Sequence, residues 1–210
     1  GVKAMAYQQE PFSLLWVVRN DGHLAALTYA RDNDTIAWSD HTTSGYFESA
    51  TVIPSTVGNP YDELWVSVKR TIGGVDYRYV ELMQPQFGHN DVIADAFFVD
   101  SGKTYSGVST STITGASHLE GKTVAVLDDG IVQTSKTVSS GTFTLDSAAL
   151  KVTYGLPYTS TLQTMRITGN TDLGTVAGQK KRINKIVARL ENAKQFKYGY
   201  TPTPALKLAE

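Results

Sequence analysis

The sequence predicts an all-β protein: antiparallel sheets arranged as a sandwich or as propeller-like blades, with a small β-barrel inserted. Apolar and polar residues alternate in many short segments, which is typical of strands with one buried face. Turn signals recur about every 8–12 residues, as in sandwiches, barrels and propellers. The chain of 210 residues is 41% hydrophobic, enough for one large β domain or two smaller ones.

The clearest element is a hairpin over residues 12–29, where two apolar-rich runs flank Asp21-Gly22. Gly accepts the positive φ of a tight turn, so Asp-Gly between two such runs is a strong hairpin signal. One face of the first run carries Leu14, Trp16 and Val18, and the other carries Leu15 and Val17. Because both faces are largely apolar, we expect this hairpin at the centre of a sheet that is covered on both sides.

Four further strands are predicted before residue 83, and nothing in this part has helical period. They span residues 35–40, 46–53, 63–71 and 75–82. Residues 42–45 and the pair Gly73-Gly74 form turns, and residues 54–61 form a loop marked by two prolines. Residues 85–95 look irregular, and residues 96–99 predict a short buried strand. Together these elements define a predicted antiparallel domain over residues 1–100.

A change in composition at residue 100 predicts a second domain. Residues 100–156 are rich in Ser, Thr and Gly and poor in aromatic residues. The clearest short strands span 111–114, 123–127, 130–134, 142–145 and 150–154, with a hairpin turn at Asp129-Gly130. We expect a small β-barrel over residues 101–156, since about 55 residues is a plausible lower size for an independent domain.

The last part of the chain is predicted to return to the first domain over residues 157–200. Residues 159–167 resemble a strand, and residues 169–178 a loop. Residues 180–190 are ambiguous: their apolar positions match the i, i+3, i+4, i+7 pattern of a helix, but the same stretch also alternates as a strand would. Residues 201–210 carry two prolines and are predicted to be a linker or an arm.

Charge and composition exclude several classes of function. The 19 basic and 20 acidic residues leave a net charge of −1, so no global charge draws the chain to nucleic acid or an anionic membrane. The absence of cysteine excludes disulfides and thiolate chemistry. The apolar runs fall short of the ~20 residues of a membrane-spanning helix. The first residues, Gly1-Val2-Lys3, resemble no signal peptide and lack an initiator Met, so we expect a piece of a longer chain.

The titratable residues predict no catalytic, cofactor-binding or metal site. The four histidines are His23, His41, His89 and His118, and none has zinc-ligand spacing. A hydrolase site could be assembled from His118 with Glu120, or from His89 with Asp91, but a hydrogen-bonded structural histidine is the commoner case. The pairs Asp128-Asp129 and Asp62-Glu63 are typical of turns and loop boundaries. No serine lies in a nucleophile elbow, and no glycine-rich run has P-loop spacing. We therefore predict no enzymatic activity and no cofactor.

The tryptophans and one basic cluster leave two binding functions open. Trp16, Trp38 and Trp65 lie in alternating strand segments, which favours core or sheet-edge packing over a sugar platform. The three Trp and eleven Tyr nevertheless support an alternative function, a carbohydrate-binding β-module of a phage or bacterial surface protein. Buried indoles would favour the structural interpretation, and two coplanar exposed rings would favour sugar binding. Lys180-Lys181-Arg182 could touch phosphates, but three charges are more typical of a solvated face.

A series of short motifs follows a single order over most of residues 10–190. They are Trp16-Val17-Val18-Arg19, Asp21-Gly22, Leu24, Ala26-Leu27-Thr28-Tyr29, Trp38, His41, Gly45, Glu48-Ser49, Val52-Ile53-Pro54, Asp62-Glu63-Leu64-Trp65, Lys69-Arg70-Thr71-Ile72, Tyr79-Val80-Glu81, Phe98-Val99-Asp100-Ser101-Gly102, Ile113-Thr114-Gly115, His118-Leu119-Glu120-Gly121, Asp129-Gly130, Gly155-Leu156-Pro157-Tyr158 and Lys181-Arg182-Ile183. In this order the motifs resemble the tail nozzle, or tail tubular, proteins of short-tailed bacteriophages.

The resemblance implies a virion structural protein in the phage tail, part of the conduit for DNA ejection. It implies a ring of six copies, contacts with adaptor and fibre proteins, and transient non-specific passage of DNA. Nozzle proteins are longer, so the chain would be a fragment without the N-terminal part. The resemblance also favours a strand over a helix for residues 180–190.

The middle of the chain has a resemblance of its own. Residues 101–156 are similar to the small barrel known as the first catalytic-cysteine half-domain of ubiquitin-activating enzymes. Because the chain has no cysteine, this similarity implies the barrel shape without thioester chemistry.

Overall fold

The computed structural model describes residues 1–30, 34–55, 60–88, 90–164, 170–171, 174–175, 185–189, 196–199 and 207–208. The predicted all-β class is confirmed, because the described residues form antiparallel strands and two short 3-10 turns, Ile93–Asp95 and Ser117–Leu119. The chain divides into two compact units, Gly1–Tyr158 and Thr159–Glu210. The described part contains no helix with the length and hydropathy needed to cross a bilayer.

The first sheet has four strands in sequential order. They are β1 (Val2–Gln8), β2 (Leu14–Arg19), β3 (Leu24–Ala30) and β4 (Thr35–His41). The predicted hairpin forms the two central strands, β2 and β3, and Gly22 at its turn has a φ of 84°. Strand β1 was not predicted, because its exposed apolar residues give no clear alternation between a buried and a solvated face.

The second sheet has three strands and packs on the first. Its strands are β5 (Tyr46–Ile53), β6 (Glu63–Ile72) and β7 (Val75–Leu82), as the alternation predicted. Side chains from both sheets build one core: Trp16, Val18, Leu24, Ala26, Phe47, Leu64, Val66 and Val68. The arrangement is a sandwich, because the inner faces of the two sheets share this core.

The third sheet contains the strands of residues 100–156. They are β8 (Asp100–Ile113), β9 (Thr123–Asp128), β10 (Ile131–Val132), β11 (Lys136–Thr137) and β12 (Phe143–Leu156). The order is β10-β9-β12-β8, with β11 also paired to β9, and the sheet encloses a core of its own. The predicted small barrel is not closed here, because over these fully described residues the hydrogen-bonded path does not return from β8 to β10. The predicted division into domains over 1–100 and 101–156 stays a prediction.

Two predicted strands differ from the structure. Residues 96–99 form no strand, because no described strand pairs with them, and Phe98 is 59% exposed where a buried strand was predicted. Residues 159–164 form no strand either, and the remainder of the predicted strand over 159–167 lies outside the described residues.

The described residues of the second unit form four strands of two residues each. Strand β13 (Asn170–Thr171) pairs with β14 (Gly174–Thr175), and β15 (Lys197–Tyr198) pairs with β16 (Lys207–Leu208). The first pair lies within the predicted loop over 169–178, and β16 lies within the predicted arm over 201–210. Of the ambiguous stretch 180–190, residues 185–189 are in neither helix nor strand, and the remainder is outside the described residues.

Candidate functional site

The side chains of His118 and Glu120, the first pair weighed as an alternative hydrolase site, each form hydrogen bonds with the backbone. The His118 Nε2–H donates to the carbonyl oxygen of Ser101 at 2.9 Å, and Ser101 has a φ of 50°. Burial lowers the pKa of His118, and the bond to Ser101 opposes that shift. The Glu120 carboxylate accepts the backbone N–H groups of Ser140 and Gly141 at 2.8 and 2.7 Å. The two side chains therefore have separate partners, and each binds the backbone at a residue with positive φ.

The other candidate carboxylates also accept backbone N–H groups. Asp91 accepts the N–H of Gly88 at 2.6 Å, and its predicted partner His89 lies outside the described residues. Asp129 accepts the N–H groups of Leu150 and Lys151 at 3.1 and 2.9 Å. Asp91 and Asp129 therefore bind the backbone of turns and loops, as their positions in the sequence indicated.

Asp62 joins two loops that are far apart in the chain. Its carboxylate accepts the N–H groups of Gln9 at 2.9 Å, Glu10 at 3.0 Å and Ser55 at 3.4 Å. These backbone hydrogen bonds lower the pKa of Asp62. The neighbouring Glu63 accepts the indole N–H of Trp65 at 2.9 Å. The pair thus fastens the β1–β2 connection to the start of β6.

The remaining histidines lie apart from these carboxylates. His23 pairs with Asp40 at the surface, with 2.8 Å between Nδ1 and Oδ2. His41, at the end of β4, lies against Trp16 with ring centroids 5.5 Å apart, and burial lowers its pKa. Across the part of the chain that the structure describes, no group of three or more His, Asp or Glu side chains could hold a metal ion.

A buried arginine forms a polar network that the search for catalytic motifs missed. Arg70 is 1% exposed on the inner face of β6. Its Nε and Nη2 donate to the two Glu81 oxygens at 2.9 and 2.7 Å. Its Nη1 donates to the Thr43 hydroxyl at 2.7 Å and to the Ser44 carbonyl at 3.0 Å. The sequence indicated that Arg70 could be buried, because it continues the alternation of the core residues of β6.

Asp100 and His41 lie beside this buried arginine. Burial raises the pKa of Asp100, while a hydrogen bond from Thr43 and the charge of Arg70 oppose the rise. The charges of Asp40 and Asp100 partly oppose the lowering of the His41 pKa. Because its guanidinium already has four protein acceptors, Arg70 is a structural cation.

The outer face of the four-stranded sheet is largely apolar and exposed. The strand register aligns Tyr7, Leu15, Leu27 and Trp38 in one row across all four strands. Ile36 lies two residues before Trp38 on the same face and is 67% exposed. The predicted cover on both sides of the hairpin is therefore wrong for the described residues, in which only the inner face packs on another sheet.

The outer face of the three-stranded sheet carries paired charges. Lys69 pairs with Asp76 at 3.1 Å, and Arg78 pairs with Glu48 at 2.7 Å. The Lys69 ammonium also lies 5.6 Å from the centroid of the Tyr46 ring. The same face also carries Trp65 and the exposed Val80, so it mixes charged and apolar side chains, and the two outer faces of the sandwich differ in chemistry mainly in their ion pairs.

A concavity of about 480 Å³ lies at one end of the apolar face. It is called the Trp38 concavity here and is lined by Val17, Arg19, Ala25, Trp38, Ser39 and Asp40, with Gly1 and Val2 at its rim. The register places Ala25 between Val17 and Asp40 on neighbouring strands. The small Ala25 side chain leaves room beside the indole.

The three tryptophans have different environments. Trp16 is buried and donates its indole N–H to Gln8 at 2.8 Å, and Trp65 is partly buried. Trp38, on the edge strand β4, is 62% exposed. One exposed indole is thus available, without the coplanar exposed pair that would have favoured a sugar platform. Lys180-Lys181-Arg182 lies outside the described residues.

Comparison with the models of known protein families gives no match, and comparison with curated proteins gives none either.

Proposed function

We propose that the chain is a virion structural protein, part of the tail nozzle of a short-tailed bacteriophage, and that it contributes to the conduit for DNA ejection. The proposal is supported by the positions that the nozzle-like motifs occupy in the fold. Arg70 and Glu81 come from two of these motifs and form the buried ion pair. Asp62, His118 and Glu120 come from others and bind backbone. The resemblance therefore rests on residues that hold the scaffold together.

The proposal includes a ring of six copies in the virion, with adaptor and fibre proteins as neighbours and no enzymatic activity. A closed ring needs head-to-tail contacts through two different patches on each subunit. DNA passes such a conduit without sequence recognition. The net charge of −1 suits this role, because each tight phosphate contact would add a salt-dependent resistance to sliding.

The location of the protein tests the proposal. Antibodies raised against the chain are applied to purified particles of the phage whose genome encodes it, and gold labelling is viewed by electron microscopy. We expect label at the tail and peptides of the chain in the mass spectrum of the particles. Label elsewhere on the particle, or particles without these peptides, would reject the proposal.

A single observation favours a second function of a different class. The indole of Trp38 is exposed beside an arginine–carboxylate pair, which is a suitable arrangement for carbohydrate binding. This second function does not depend on the phage proposal.

A further inference from the structure

We propose that the Trp38 concavity is a binding site for a neutral hexose-containing glycan. The ligand stacks one ring on the Trp38 indole and forms hydrogen bonds with the Arg19–Asp40 pair. The site goes beyond the structural role proposed above and stands independently of it.

The indole supplies the stacking surface. Trp38 is 62% exposed, and it lies on a strand that forms the edge of the described sheet. A pyranose presents a face of C–H groups that packs on an aromatic ring. A tryptophan offers a large area for such packing and has only two side-chain torsions to order.

The polar groups of the concavity are already oriented. Asp40 lies two residues after Trp38 on the same face, about 7 Å along the strand. Its Oδ1 is 3.4 Å from Arg19 Nη1, and its Oδ2 is 2.8 Å from His23 Nδ1. A carboxylate accepts and a guanidinium only donates, so together they match two neighbouring hydroxyls, which can each do both. Groups fixed before binding lose less entropy when the ligand arrives.

The charge around the concavity favours a neutral ligand. Arg19 supplies one positive charge and pairs with two carboxylates, Asp21 and Asp40. An acidic sugar placed on the indole would meet the Asp40 carboxylate, which also lines the concavity, and like charges repel. A neutral hexose avoids this repulsion and still uses both hydrogen-bonding groups.

The shape and chemistry of the site favour a glycan over a second copy of the chain. A volume of about 480 Å³ lies within the roughly 300–1,000 Å³ of small-ligand sites. A protein partner centred here would bury two charged residues, Arg19 and Asp40, but charged residues are depleted at the core of protein interfaces. Self-association through this face is therefore the competing outcome that the experiment must detect.

The first experiment measures binding of the full 210-residue chain to an array of neutral and acidic glycans. The strongest neutral oligosaccharide is then titrated in solution by calorimetry and by tryptophan fluorescence. We expect Trp38→Ala to weaken its binding at least about tenfold, which corresponds to about 1.4 kcal/mol. Trp38→Phe should give an intermediate loss, because it keeps a smaller ring. Since Trp38 is exposed, the circular dichroism of both variants should match that of the parent chain.

Ile36→Ala is the matched control. Ile36 lies on the same strand and the same face, is exposed to a similar degree, and does not line the concavity. Its substitution should leave glycan affinity unchanged. Three results would overturn the proposal: no neutral glycan binds, acidic glycans bind better than neutral ones, or the two alanine variants lose affinity equally. Self-association in sedimentation that both alanine variants abolish would instead assign the face to a second copy and would equally overturn the proposal.

Discussion

Arg70 is the residue on which the interior of the sandwich depends most. It is buried with its charge, and Glu81 neutralises it through two hydrogen bonds. Removal of one partner of a buried ion pair leaves the other charge uncompensated, which costs about 3–5 kcal/mol. We therefore expect Arg70→Ala to lower the free energy of unfolding by about that amount in urea denaturation.

The neighbouring pair of Arg78 with Glu48 provides the control. It joins the same sheet through similar geometry, with 2.7 Å between Arg78 Nε and Glu48, but the Arg78 side chain is 67% exposed. Solvent screens exposed pairs strongly, so Arg78→Ala should change stability far less than Arg70→Ala does. Equal losses for the two substitutions would contradict the structural role given to Arg70.

Glu120 is expected to act on stability and on no reaction. Glu120→Ala would leave the N–H groups of Ser140 and Gly141 without their acceptors, at a cost of about 1–3 kcal/mol. Glu120→Gln keeps one acceptor oxygen, so it should lose less. Thermal unfolding of both variants measures the difference. Loss of hydrolysis of any glycan or peptide in these variants, at unchanged stability, would show that the carboxylate has a catalytic role.

Two partly buried histidines give stability a dependence on pH. Burial lowers the pKa values of His41 and His118 in the folded chain, so the unfolded chain binds more protons near the ordinary histidine pKa of about 6.5. Their contribution is present above about pH 6.5 and is lost as pH falls through the lower folded pKa values. We expect urea midpoints to fall on acidification, and less steeply in the His41→Gln, His118→Gln double variant. An unchanged slope in that variant would contradict the assignment.

Asp100 acts in the opposite direction at lower pH. Burial raises its pKa above the ordinary value near 3.9, so the folded chain holds the proton more tightly. Its contribution is therefore greatest when the carboxyl is protonated and falls as pH rises through the folded pKa. Asp100→Asn removes the contribution of the Asp100 carboxyl to this pH dependence. The loss of stability that the histidines cause on acidification should therefore become steeper.

At the residue scale, the sequence predicted the kind of role but rarely the partner. Asp62 could be identified as a loop-boundary residue, but its acceptor role for Gln9 joins residues 53 positions apart. Such a contact depends on how the sheets pack, which local sequence does not encode. Arg70 was visible as a charged residue on a core face, but Glu81 could be assigned to it only once β6 and β7 were paired.

At the scale of elements, alternation predicted strands well where one face is buried. The bounds of β5 and β7 agree with the prediction, because buried and exposed side chains alternate along β5 and along its partner β6. β8 and β12 were predicted only as fragments of their full fourteen-residue lengths. Much of β8 is exposed and rich in Ser and Thr, so its ladder with β12 produces no hydrophobic period.

The approach of β8 to β12 requires glycine at the base of the third sheet. A Cβ on Gly155 would lie 2.7 Å from the Asp100 carbonyl oxygen and 2.8 Å from the Cα of Gly102. Both are backbone atoms, so the strands would have to separate. We expect Gly155→Ala to cost about 1–3 kcal/mol in chemical unfolding, which is typical of overpacking.

Gly88→Ala is the control for that substitution. A Cβ there would be 3.4 Å from the Asp91 side chain, an ordinary contact, so the change should stay within about 0.5 kcal/mol. A stable Gly155→Ala variant would mean that β8 and β12 do not approach this closely.

At the scale of the molecule, the first unit combines a sandwich whose outer faces differ with a third sheet that has its own core. The sequence indicated the sandwich through the period of its strands. The sequence could not indicate which outer face remains exposed. The apolar residues of β2 and β3 predict that another surface packs on them, but that surface can come from the same chain or from another molecule. That distinction depends on partners, and it is the reason the apolar face carries the binding proposal.

The final prediction concerns DNA. Most of the described arginines and several lysines are already in ion pairs, among them Arg19, Arg70, Arg78, Lys69 and Lys136. Lys180-Lys181-Arg182 is predicted to be the only cluster of cations, so contact with a duplex should involve about three phosphates and weaken steeply with salt. Fluorescence anisotropy of a labelled duplex at low salt should show weak binding that is independent of sequence. Replacement of these three residues by alanine should abolish it. Tight, sequence-dependent binding would contradict the conduit and indicate a DNA-recognition protein.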